Sequence, residues 1–254
     1  MKPRILIYDI ETAPAIGLFF GKPYEVNIAK IIQQEYVFGF AWQWLGEKKI
    51  HTCYIWDFFR YTKDPTNSIE VIKKWAELVK EADIIVGHNS DQFDYRQMHG
   101  RIVQFKLPPI PKPQQVDTKK LAKRLGYYES NKLDDLSKRF GHGGKLDHEG
   151  IELWWKCMNG EKKAQKHMVA YNKVDVEKTR QLYQDFMPYD ERHPNMANIA
   201  GRPESCPRCG GEKGFLAQGF RMTKTARYRR WQCKACGSYV SERNAEKGER
   251  IKYV

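Results

Sequence analysis

Arg4-Ile5-Leu6-Ile7-Tyr8-Asp9-Ile10-Glu11-Thr12 sets a short apolar run against two acids two positions apart. Such a run suits a strand buried on both faces, and charge at its end is costly to bury. Side chains at i and i+2 of a strand share a face, so Asp9 and Glu11 project two carboxylates side by side. Adjacent anions repel unless a cation neutralises them, and hard divalent ions such as Mg²⁺ prefer oxygen ligands. Taken alone, the pair is a weak motif and reads as a solvated strand end.

The segments on either side decide the architecture. Residues 35–44 and 49–56 are rich in β-branched and aromatic residues, and the intervening Leu45-Gly46-Glu47-Lys48 predicts a hairpin. Residues 69–81 place Ile69, Ile72, Trp75, Ala76 and Val79 at helical spacing. Residues 82–87 form a second buried strand, and helices are expected over 91–104, 118–126, 133–140, 149–158 and 161–186. Strands followed by alternating strands and helices predict an α/β domain on a mixed sheet with flanking helices.

Two further acidic segments lie in this pattern. Gly87-His88-Asn89-Ser90-Asp91-Gln92-Phe93-Asp94 follows a strand and opens a helix, where ligands collect in open α/β sheets. Asp91 reads as the helix N-cap. Asp94, three residues on, either complements the helix dipole or faces the pocket of Asp9. Tyr171 and Asp175 are spaced i, i+4, so phenol and carboxylate share one helix face. A surface pair would look the same.

The order D-x-E, N-x-x-x-F-D, Y-x-x-x-D resembles the three exonuclease motifs of the DEDD superfamily, tyrosine subclass, over residues 1–186. The histidine subclass would need His five residues before the last acid, where Ala170 stands; His167 is off that spacing. The resemblance implies an RNase H-like fold and a two-metal 3′→5′ exonuclease. On it, Asp9, Glu11, Asp94 and Asp175 hold two Mg²⁺ or Mn²⁺ ions and Tyr171 orients the attacking water. Tyrosine, with an ordinary pKa of about 10, is a poor general base at neutral pH, which favours that positioning role. Thr12, Asn89 and Phe93 would lie near the terminal nucleotide. Asp117 looks like an accessory acid of family-B polymerase exonuclease domains; the N-cap of the following helix is the alternative.

The chain has 254 residues, a formal charge of +13 and a mean hydropathy of −0.72. No run of about 18 apolar residues suggests a membrane span, and the acids at 9 and 11 interrupt any signal-peptide pattern. An intracellular location is expected. Hydrophobic residues at 41% and aromatics at 13% argue against disorder. The positive charge points to a polyanion. It is uneven: residues 187–254 hold 14 of the 44 Lys and Arg but 7 of the 31 Asp and Glu.

The same region holds Cys206-Pro207-Arg208-Cys209 and Cys233-Lys234-Ala235-Cys236, two C-x-x-C pairs 23 residues apart and each followed by glycine. That spacing fits one tetrahedral Zn²⁺ and resembles a zinc ribbon; disulfides or an iron–sulfur cluster are the alternatives. Cys53 and Cys157 stand alone and read as buried small hydrophobes. The expected organisation is a catalytic domain at 1–186, a Pro-rich linker at 187–205 and a small β-rich ribbon with a basic tail at 206–254. Between the cysteine pairs, Arg227, Arg229, Arg230 and Trp231 interleave cations with a ring, which suits single-stranded nucleic acid. A protein-docking or purely structural ribbon is the alternative.

The function expected is a 3′→5′ exonuclease on DNA, with single-stranded ends as substrate, acting alone or beside a replication or repair protein. A 3′→5′ exoribonuclease and a catalytically inactive nucleic-acid-binding protein are the rivals. A basic structural protein with a zinc staple leaves the ordered acids unexplained.

Overall fold

The computed structural model describes residues 2–22, 27–144, 146–147 and 149–246. Two compact units emerge, Arg4–Tyr183 and a second that begins at Gln184 and carries the four C-terminal cysteines.

In the first unit the chain runs β1 (Ile5–Ala13), β2 (Ile16–Leu18), β3 (Lys30–Gln33), β4 (Tyr36–Trp44) and β5 (His51–Tyr54). It continues with α1 (Ile69–Glu81), β6 (Ile84–Gly87), α2 (Asp94–Gln104), β7 (Gln114–Asp117), α3 (Thr118–Leu125), α4 (Leu133–Arg139) and α5 (Ile151–Met158). The 25-residue α6 (Lys162–Phe186) closes it. Five strands form one mixed sheet in the order β5-β4-β1-β6-β7. β4 and β5 are antiparallel to their neighbours, while β1, β6 and β7 run parallel. This is the RNase H-like arrangement expected from the sequence.

β1 is the central strand, and Ile5, Leu6, Ile7 and Tyr8 are all buried. Its continuous apolar run is what a strand covered on both faces requires. The strand runs three residues beyond Ile10, so both acids lie within it, with a bulge between Glu11 and Thr12. Asp9 pairs with Ala41 and Glu11 with Gly39 of β4. α1 buries Val71, Ile72, Trp75, Leu78 and Val79, and the Trp75 ring lies 6.0 Å from that of Tyr8. Cys53 and Cys157 are buried in this core. β2 and β3 form a separate two-stranded ribbon that exposes Leu18, Ile31 and Ile32. Nothing in the 2-residue period of so short a pair announces it.

In the second unit β8 (Phe215–Met222), β9 (Arg227–Cys233) and β10 (Tyr239–Ser241) form an antiparallel sheet in the order β10-β9-β8. Its strands and cysteines fit a zinc ribbon. Residues 187–205, expected as a linker, contain a 3₁₀ turn (Met187–Tyr189) and the short helix α7 (Met196–Ala200). Asn195 caps α7, and Met196 N–H donates to the Pro207 carbonyl at 2.9 Å. The helix has five residues, too few for periodicity to reveal it. Residues 247–254, the end of the expected basic tail, lie outside the described residues.

Candidate functional site

The sheet brings together acids far apart in sequence. Carboxylate oxygens of Asp9 and Glu11, from β1, and Asp175, from α6, all lie within 4.8 Å of one another. Glu11 and Asp175 are buried and Asp9 is half-buried. Three carboxylates at this separation in a low-dielectric site repel strongly. An all-oxygen donor set of this kind fits a hard divalent cation.

Asp94 lies outside that trio but is tied to it. Its Oδ1 accepts from the Ile10 N–H at 3.1 Å, the backbone group between Asp9 and Glu11. Burial pushes its carboxyl up to about 7, and the nearby Asp117 and Asp175 charges add to the rise. Asp94 is the first residue of α2, so the helix starts three residues later than expected.

The cause of the late start is the loop before it. Asn89 adopts φ +67°, a left-handed conformation that asparagine tolerates better than most residues. Asp117 then fixes the loop: Oδ1 accepts from Asn89 N–H at 3.0 Å and Oδ2 from Asp91 N–H at 3.3 Å. The same carboxylate caps α3 through Lys119 N–H at 2.9 Å and Lys120 N–H at 3.2 Å. Asp117 is therefore an N-cap, with a second task as clasp of the β6–α2 loop. Asp91 caps no helix; its Oδ2 pairs with Lys120 Nζ at 2.7 Å.

Tyr171 and Asp175 lie one turn apart on α6, and both are buried. The Trp154 ring of α5 meets Tyr171 edge-on, with centroids 6.3 Å apart. Trp154 also lines a hollow of about 310 Å³ with Thr12, Pro14, Gly150 and Ile151. Thr12 follows Glu11 on β1 and lines this hollow, while Phe93, just before Asp94, is 41% exposed. In the sequence, Trp154 is marked only by the Trp154-Trp155 pair on a short amphipathic helix.

The cysteines converge equally well. The four Sγ atoms lie within 4.8 Å of one another, and no disulfide links them. Cys206–Cys236 and Cys209–Cys233 are each 3.9 Å apart. A tetrahedron with Zn–S of about 2.3 Å has edges of about 3.8 Å, so the cage fits zinc. The two pairs are built alike. Gly210 and Gly237, both at positive φ, donate their N–H to the carbonyls of Cys206 and Cys233. Gly211 and Ala235 N–H groups point at Cys209 and Cys233 sulfur, each at 3.3 Å.

The expected nucleic-acid residues of this unit divide between two faces. Arg227 and Arg229 stack over Phe220 at 4.8 and 5.9 Å, and Arg229 also lies 5.9 Å from Trp231. Both arginines pair with Glu246, and Trp231 Nε1 donates to Glu242. Arg230 stacks instead on Tyr239 at 5.3 Å and donates to the Gln218 carbonyl. The 2-residue period of β9 separates it from its neighbours, so the four residues do not form one surface.

No curated protein matches the chain. Residues 6–187 match the family RNase_H_2, of the RNase_H superfamily, a span that runs from β1 through α6 and contains Asp9, Glu11, Asp94, Asp117 and Asp175. Such a domain supports a nuclease-like function on nucleic acid. Among the described residues no helix is long and apolar enough to cross a membrane. The chain belongs to the RNase_H_2 family of the RNase H superfamily.

Proposed function

We propose that the protein is a metal-dependent 3′→5′ exonuclease acting on single-stranded DNA ends and releasing nucleoside monophosphates. The observation that carries this reading is the convergence of Asp9, Glu11 and Asp175 within 4.8 Å at one end of the sheet. Asp94, anchored on the backbone between the first two, completes a four-acid set for two Mg²⁺ or Mn²⁺ ions. Bound there, the ions would lower the pKa of water and neutralise the departing 3′-oxygen.

The protein's own groups do the rest. Tyr171, its ring braced by Trp154, orients the attacking water through its hydroxyl. Thr12 and the hollow beside it receive the terminal nucleotide, Asn89 shapes the β6–α2 loop, and Phe93 offers a ring for stacking. The cysteine cage holds one structural Zn²⁺. Arg227, Arg229 and Trp231 share a face that suits phosphates and bases of a single strand.

Incubation with 3′- and 5′-labelled single-stranded DNA and RNA, in Mg²⁺, Mn²⁺ or EDTA, tests the reading. The 3′ label should leave as a mononucleotide, the 5′ label should step down a ladder, and EDTA should stop both. A ladder from RNA alone would make the protein an exoribonuclease. Binding without any product would make the domain an inactive nucleic-acid binder.

A further inference from the structure

Between Tyr171 and Asp175, α6 buries Asn172 completely. Its amide Nδ2 donates to Asp9 Oδ2 at 2.7 Å and to the Asp9 carbonyl at 3.2 Å. Its Oδ1 accepts from the Tyr54 hydroxyl at 2.9 Å. We infer that Asn172 is a positioning residue that clamps the Asp9 carboxylate in the orientation needed to hold a divalent cation; this rests on the metal-site reading above.

The chemistry fixes the direction of every bond. An ionised carboxylate and a carbonyl only accept, so the amide nitrogen, not the oxygen, faces Asp9. Both its hydrogens are then used on one residue, one on the backbone and one on the side chain, which restrains rotation of the Asp9 carboxylate. The amide oxygen is left to accept, and Tyr54 must donate. Burial, with Glu11 and Asp9 nearby, pushes the Tyr54 phenol well above its ordinary range, so the proton stays on it.

Tyr54 is itself braced. It is fully buried, and Trp56 stacks on it with ring centroids 4.7 Å apart. Beneath it lies Gly39, where an added Cβ would come within 2.5 Å of the Tyr54 ring. Gly39 is also the β4 residue opposite Glu11. A chain of contacts thus runs Gly39, Tyr54, Asn172, Asp9, joining β4, β5, α6 and β1 around the trio. Asn172 also locks α6 to β1, which sets Asp175 and Tyr171 against Asp9. Loss of partners that orient a metal ligand typically costs about 10–100-fold in metal affinity.

The test is a calorimetric titration of Mn²⁺ into the full-length protein. Asn172→Leu leaves the Tyr54 hydroxyl buried without its acceptor, so Tyr54→Phe is combined with it; for that bond, replacing both partners by apolar groups of similar shape is close to neutral for stability. The double variant still strips Asp9 of its donor, so it should melt below the wild-type temperature but cooperatively, and bind Mn²⁺ about 10–100-fold more weakly. Its half-maximal Mn²⁺ concentration for cleavage should rise by a similar factor, with much of kcat recovered at saturation. Wild-type Mn²⁺ affinity in a folded double variant overturns the clamp alone. A wild-type protein that binds no Mn²⁺ overturns the metal-site reading and the clamp with it.

Discussion

The carboxylate centre and the cysteine centre are assembled in opposite ways. Asp9 and Asp175 lie on a central strand and on the last helix of the first unit, and the fold of the whole sheet brings them within 4.8 Å. Cys206 and Cys209 share one tight turn, Cys233 and Cys236 another, and a glycine at positive φ closes each. One centre depends on long-range packing that can stand without an ion. The other sits in a small unit with few buried aliphatics, where bound metal contributes folding energy. Substitutions should therefore separate chemistry from folding in the first and merge them in the second.

The largest effect is expected at the trio. Asp9→Ala or Asp175→Asn should lower 3′-end hydrolysis by about 10³-fold or more, since several kcal/mol of charge stabilisation depend on the metal set. Circular dichroism and melting temperature should stay close to wild type. At the cysteine centre, Cys233→Ser or zinc chelation should melt β8–β10, read as lost near-UV signal from Trp231, and weaken DNA binding together with the fold.

A finer contrast lies within the carboxylate centre. Burial holds the Asp94 carboxyl at about 7 in the folded protein, above its ordinary value near 4. Its contribution to stability is fully present below about pH 4 and is lost as pH rises through about 7. Metal-free Asp94→Asn should therefore lose less stability than wild type between pH 4 and 8, while showing no hydrolysis. Denaturation series across that range check the sign. The smallest effect is expected on the ribbon face, where Glu246 already pairs with both arginines. Arg227→Ala with Arg229→Ala should weaken single-stranded DNA binding roughly tenfold and flatten its salt dependence. A Trp231→Ala variant should lose about 1–3 kcal/mol per base it stacks on.

Legibility in the sequence follows the range of the interactions. The β1 run, the α1 stripe and the two cysteine pairs are local patterns, and each appears where its spacing predicts it. The start of α2 was misplaced because it depends on Asp117, 23 residues beyond Asp94 and on another strand, capturing the N–H groups of Asn89 and Asp91. Asn172 carries no charge and no motif letter, so its link to Asp9 exists only in the folded chain. Arg230 was different. Alternation along 227–231 already separates it from Arg227, Arg229 and Trp231, and grouping all four overlooked the strand period.

The central claim is that the trio on β1 and α6 holds divalent cations. Crystals soaked in Mn²⁺ and measured at the manganese absorption edge test it most directly. Anomalous density is expected between Asp9, Glu11 and Asp175, and its loss in Asp9→Ala. Density elsewhere, or none between these carboxylates at saturating Mn²⁺, would contradict it.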